Sequence, residues 1–108
     1  QSLPIPVQDS PQGIYLSGMV YQSLGQDKKA LERFNVAMAK GLKQPELYYD
    51  AATSQTRLSQ HDDAIRTLKQ GLAFAPVGKG FTDKDDFLFA ICSNYYKKSD
   101  FKQATSYC

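Results

Sequence analysis

The chain has 108 residues, 42% of them hydrophobic, and its 13 basic side chains nearly balance its 11 acidic ones. That is one domain's worth of chain, too apolar to be intrinsically disordered and long enough to bury a core without metals or a dense disulfide framework. Acids and bases are interspersed throughout, so neither a nucleic-acid footprint nor a polybasic membrane patch is expected; apolar runs such as Leu72 to Ala75 fall far short of the roughly 18 residues a membrane span needs, and no signal-peptide hydrophobic region opens the chain.

In chain order, residues 1–10 carry Pro4 and Pro6 among Leu3, Ile5 and Val7, the pattern of an extended, polyproline-like arm that serves as a linker or docks in a groove. Ser10 can cap a first helix with Pro11 at its first position, and Ile14, Gly18, Tyr21 and Leu24 follow helical spacing up to a stop at Gly25. Asp27 can cap the next helix, whose apolar face runs Ala30, Leu31, Phe34, Ala37 and Met38 to Gly41. Pro45 starts a third helix, Ser59 to His61 make a turn, and Pro76 is expected to stop the helix that carries Ala64, Ile65, Leu68 and Leu72. Thr82 or Asp83 can cap the following one, which runs Phe87, Leu88, Ile91 and Tyr95 to a turn at Ser99-Asp100. No stretch alternates with period two, so the fold class is all-α.

These elements repeat. Gly25-Gln26-Asp27-Lys28-Lys29-Ala30-Leu31 returns 34 residues later as Ser59-Gln60-His61-Asp62-Asp63-Ala64-Ile65, and 40 residues after that as Ser99-Asp100-Phe101-Lys102-Gln103-Ala104-Thr105. Large residues align with large and small with small: Ile14 with Tyr48, Gly18 with Ala52, Phe34 with Leu68, Ala37 with Gly71. The period and phasing resemble the tetratricopeptide repeat (TPR), through Gly18-x2-Tyr21, Gly25 and Ala30-x3-Phe34 in one unit and Tyr48, Ala51-Ala52, Ala64-x3-Leu68 and Pro76 in the next. Trp is absent, and Ser17, Gln55 and Cys108 depart from the large residues usual at their places. The resemblance implies antiparallel helix pairs stacked as a right-handed TPR superhelix (α-solenoid), with repeats at 11–44 and 45–78, an insertion at 79–84 and a partial third repeat at 85–108. Small residues such as Gly18, Ala30 and Ala37 would let the helices of a pair approach closely.

The resemblance also implies that the first helix of each pair lines a concave face that binds peptides. Mapped here, that face should present Tyr15, Met19 and Gln22, then Tyr49, Thr53, Thr56 and Arg57, then Phe89, Ser93, Tyr96 and Lys97. The aromatic ladder Tyr15, Tyr49, Phe89, edged by Arg57 and Lys97, has the composition of an interface that anchors a peptide through rigid rings, although such rings equally serve to pack helices together. The family's carboxylate clamp needs Lys, Asn and Arg where this chain has Tyr15, Met19, Asp50, Asp86 and Ala90; with two acids in place of donors, a neutral or mildly basic peptide with apolar side chains is expected instead.

Other chemistry is sparse. Gly78-Lys79-Gly80 lacks the phosphate-loop frame and a preceding strand. Asp83-Lys84-Asp85-Asp86 lacks the glycine and glutamate of a calcium loop and reads as helix-start acids. His61, the one histidine, reads as a solvated turn residue beside Asp62 and Asp63. No catalytic residues, cofactor or metal are assigned. Cys92 and Cys108 lie equally far from the turn at Asp100, so they are either a disulfide, which would place the chain in a periplasm or secretory lumen, or two buried thiols in a cytoplasmic scaffold.

Three functions fit this sequence. The first is a non-enzymatic scaffold that binds a partner protein or peptide in the groove. The second is a structural module of a larger assembly, for example cell-envelope secretion or export machinery, and the third is a regulatory domain of a larger enzyme. The third repeat lacks its last turns and no polar capping helix follows, so the C-terminal end is expected to be covered by further chain, or by another subunit through self-association.

Overall fold

The computed structural model describes residues 9–78 and 82–108. Among the described residues six helices follow in order: α1 Pro11–Ser23, α2 Asp27–Ala39, α3 Pro45–Arg57, α4 His61–Leu72, α5 Lys84–Lys97 and α6 Phe101–Tyr107. Each packs on the next, and there are no strands among the described residues, so the fold is all-α with helix pairs stacked as a solenoid. The arm expected over residues 1–8 and the insertion residues 79–81 lie outside the described residues. No helix among the described residues is long and apolar enough to cross a membrane.

The helix ends follow from local chemistry. Ser10 caps α1 by accepting from the Gly13 N–H at 3.1 Å, with Pro11 at the first position, where its missing N–H is not needed. Asp83, not Thr82, caps α5, and Asp86 returns a bond to the Asp83 N–H at 3.1 Å to complete a capping box. Asp100 caps α6 through the Gln103 N–H. Asp27 does not act as a cap: it is the first residue inside α2, after Gln26, and its carboxylate is used elsewhere. Helix α4 ends at Leu72, short of Pro76, in a stretch where the Phe74 and Ala75 N–H groups bond three residues back.

The same turn closes all three helix pairs. In the first, the Gln26 N–H bonds the Tyr21 carbonyl at 2.9 Å and the Gly25 N–H bonds Gln22, with Gly25 left-handed at φ 77°. Gln60 to Gln55 and Asp100 to Tyr95 repeat the long bond at 2.8 and 2.9 Å, but the left-handed position is now Ser59 (φ 61°) or Ser99 (φ 64°). A Cβ in that region costs on the order of 1 kcal/mol. Ser59→Gly and Ser99→Gly are therefore each expected to raise the unfolding free energy by about 1 kcal/mol, read from urea denaturation at unchanged slope.

Two core clusters stack along the chain. The first joins Ile14, Tyr15, Ala30, Phe34, Ala37, Leu47 and Ala51; the second joins Ala52, Ala64, Ile65, Leu68, Phe87, Ile91, Cys92, Tyr95 and Ala104; Tyr48 packs against both. Small residues set the spacing within and between pairs. A Cβ on Gly18 would come within 2.6 Å of the Phe34 ring, and one on Gly71 within 2.6 Å of the Phe87 ring and 2.7 Å of the Tyr48 Cβ. Each large ring thus fills the space that a glycine leaves on the facing helix.

Cys92 and Cys108 are bonded as a disulfide, with their Cα atoms 5.6 Å apart. The bridge ties α5 to the last turn of α6. Alongside it, the Tyr95 and Tyr107 rings stack at 5.7 Å and the Lys69 ammonium lies over both, donating to the Tyr95 hydroxyl at 3.1 Å.

Candidate functional site: a groove between α3 and α5

The first helices of the second and third pairs, α3 and α5, meet where the Thr56 hydroxyl reaches Asn94 at 2.9 Å and the Tyr49 ring meets Phe87. Tyr49, Thr53 and Arg57 of α3 and Phe89, Ser93 and Lys97 of α5 line one open cavity of about 270 Å³. Its lining also includes Thr56, Asn94, Ala52, Leu68 and Ala90. Seven of the eleven residues expected on the binding face are therefore brought together here: Tyr49, Thr53, Thr56, Arg57, Phe89, Ser93 and Lys97.

The other four lie elsewhere. Tyr15 is only 7% exposed, its ring edge-on to Phe34 at 5.8 Å and its hydroxyl donating to Asp50 at 2.7 Å. It is part of the first core and does not continue an exposed ladder. Gln22 spends its amide on the Asp50 carbonyl and the Ser54 hydroxyl, at 2.9 and 3.0 Å. Met19 lines a separate hollow with Tyr15 and Leu16, and Tyr96 lies on the far side of Phe89, beside Phe101. The rings at the ladder positions thus differ: Tyr15 is buried, Tyr49 is half-buried with its ring edge-on to Phe87 at 5.6 Å, and Phe89 is 70% exposed.

Polar clusters hold the pairs together behind the groove. Between the first and second pairs, Ser54 accepts from Gln22 and donates to Asp27 at 2.9 Å, while Arg57 reaches the same Asp27 oxygen at 3.4 Å. Between the second and third, Asn94 takes the place of Ser54: its Oδ1 accepts from Thr56 at 2.9 Å and meets His61 Nδ1 at 3.0 Å, and its Nδ2 donates to the Ala90 carbonyl. Since Oδ1 has no proton to give, His61 Nδ1 must carry one. His61 is therefore not a solvated turn residue but the half-buried first residue of α4, holding the groove wall. Asn94, 3% exposed, is a groove residue that reading by face missed; its signal was a lone carboxamide between the apolar Ile91 and Tyr95 at the register position of Ser54.

The groove is polarised. Asp50 and Asp86 stand near its Tyr49 end, Asp86 in the first turn of α5, and Arg57 and Lys97 stand in the last turns of α3 and α5, where their charges offset the helix dipoles. Burial, then the charges of Asp86 and Asp50, push the Tyr49 hydroxyl up from its ordinary value, so it remains a donor through neutral pH. Burial also pushes the Asp50 carboxyl up, against the bond from Tyr15, which lowers it. Among the described residues, no group of three or more His, Cys, Asp or Glu side chains is placed to hold a metal ion.

No protein-family model matches the sequence, and no curated protein matches it. The fold is similar to that of MamA, a TPR-type all-helical repeat protein: the crystal structure of MamA matches with a TM-score of 0.80 at 16% sequence identity, over 95% of this chain and 58% of MamA. The chain thus spans little more than half the length of that relative, and the likeness establishes a TPR-like helical repeat fold.

Proposed function

We propose that the chain is a protein-interaction scaffold that holds an extended peptide of a partner protein in the groove between α3 and α5. The observation that carries this reading is that Tyr49, Thr53 and Arg57 of α3 and Phe89, Ser93 and Lys97 of α5 line one open cavity. Phe89, 70% exposed at its edge, gives a peptide side chain a rigid apolar surface. The Thr53 hydroxyl, which donates to the Tyr49 carbonyl at 3.0 Å, is left to accept from a peptide N–H, the Ser93 hydroxyl offers a further hydrogen bond, and the balanced end charges favour a neutral segment with apolar side chains. A TPR-like fold serves in general as such a scaffold, which supports the reading. The Cys92–Cys108 bridge supports an oxidising compartment such as a periplasm or secretory lumen.

Panning a displayed library of random linear peptides against the chain tests the groove. Selected peptides are expected to lose at least about tenfold in affinity to Phe89→Ala, a difference of about 1.4 kcal/mol, and to lose binding altogether to Thr53→Arg, which fills the cavity. Peptides that bind both variants as they bind the unaltered chain would refute the assignment.

A further inference from the structure

The internal repeat pairs the outward surfaces of the first and last described helix pairs with each other. Each first helix lies against the preceding pair through one face. In α3 that face includes Asp50 and Ser54, and in α5 the equivalent Ala90 and Asn94; Ser54 and Asn94 are 0% and 3% exposed. The equivalent positions on α1 are Leu16 and Val20, with Leu24 one turn further, and they are 61%, 53% and 64% exposed. Helix α1 therefore shows an apolar stripe on the face that α3 and α5 turn toward the preceding pair, buried there at Ser54 and Asn94.

The opposite end carries the matching receptor. The surface of α3 and α4 that receives α5 recurs on α5 and α6 as an apolar slot of about 490 Å³, lined by Phe89, Cys92, Tyr96, Phe101, Ala104 and Cys108 among others. Its rims are exposed rings: Tyr96 and Phe101 lie edge to face at 5.5 Å and are 65% and 56% exposed.

Chemistry also distinguishes the ends from the internal junctions. At the junction of the first and second pairs, Gln22 and Asp27 meet Ser54; at the next, Thr56 and His61 meet Asn94. Every member is polar. The corresponding receptor positions on the last pair are Tyr96 and Phe101, and the corresponding helix position on α1 is Val20, all apolar or aromatic. The same switch occurs one turn away: Tyr15 hydrogen-bonds Asp50 internally, whereas Phe89, without a hydroxyl, is the counterpart that would meet Leu16. A slot lined by Tyr96 and Phe101 would strand a Ser or Asn, but it accepts Val20.

We propose that two copies of the chain associate head to tail, α1 of one copy lying in the α5–α6 slot of the next, so that the stack continues from molecule to molecule. The occupant is a second copy because both faces of this junction are on the same chain and both change from polar to apolar together. The interface is heterologous, so it propagates beyond a dimer.

Sedimentation of the disulfide-intact chain from about 5 to about 500 µM is expected to show mass rising past that of a dimer with concentration. Val20→Glu and Phe101→Glu, at positions more than half exposed and so compatible with an unchanged melting temperature, should each give a monomer alone. Mixed, they should form a one-to-one dimer, because each retains one intact end. A chain that stays monomeric throughout the range overturns the proposal. So does a Val20→Glu chain that still self-associates, which would mean tail-to-tail pairing, or association that neither substitution weakens by at least tenfold.

Discussion

Phe87→Ala is expected to destabilise the chain by about 3–5 kcal/mol, a large share of the stability of a domain this size. The ring is 0% exposed, fills the space over Gly71, and meets the Tyr49 ring edge-on at 5.6 Å. Its loss opens a cavity where α5 meets α3 and α4, and Tyr49 loses the support that aims it at the groove. Phe34→Ala removes an equally buried ring from the first core cluster and should cost about as much. Conditions that keep both variants folded separate them: peptide affinity should fall for Phe87→Ala and hold for Phe34→Ala. Gly71→Ala should cost about 1–3 kcal/mol by overpacking, and less in the Phe87→Ala background, because the clashing ring is gone. Urea denaturation of the four chains yields that coupling, and strictly additive costs would contradict the packing described.

Reduction of Cys92–Cys108, or its replacement by two serines, is expected to cost about 3 kcal/mol, since the bond closes a loop with a sequence separation of 16. Helix α6 has only seven residues, well below the length at which a helix persists on its own. Without the bridge, it is held by the Tyr95–Tyr107 stack, the Lys69 contacts and the buried Ala104. The α6 amides should therefore lose hydrogen-exchange protection first, while α1 to α4 keep theirs. Denaturation midpoints that are equal with and without reductant would show that the packing alone holds α6.

Much of this architecture was legible in the sequence, because period and residue size are properties of the chain itself. The helix pairs, the turns at Gly25, Ser59 and Ser99, and the caps at Ser10 and Asp83 all follow from residue type and spacing. The groove was legible where two successive first helices oppose each other, as in α3 and α5. It was not legible at α1: Tyr15 and Tyr49 occupy the same register, but Asp50 accepts from the Tyr15 hydroxyl and draws the ring into the core, whereas Ala90, at the register position of Asp50, offers Tyr49 no acceptor. Likewise, Asp27 reads from the sequence as a helix cap and His61 as a turn residue. Their roles depend on Ser54 and Asn94, which lie 27 and 33 residues away and meet them only when the pairs stack.

The most direct test of the groove is amide chemical-shift mapping of the isotope-labelled, disulfide-intact chain with the tightest library peptide. The shifts are expected to centre on Tyr49, Thr53, Thr56, Phe89, Ser93 and Lys97, and to vanish in Thr53→Arg. Shifts centred on α2 and α4, with those six residues unmoved, would contradict the assignment.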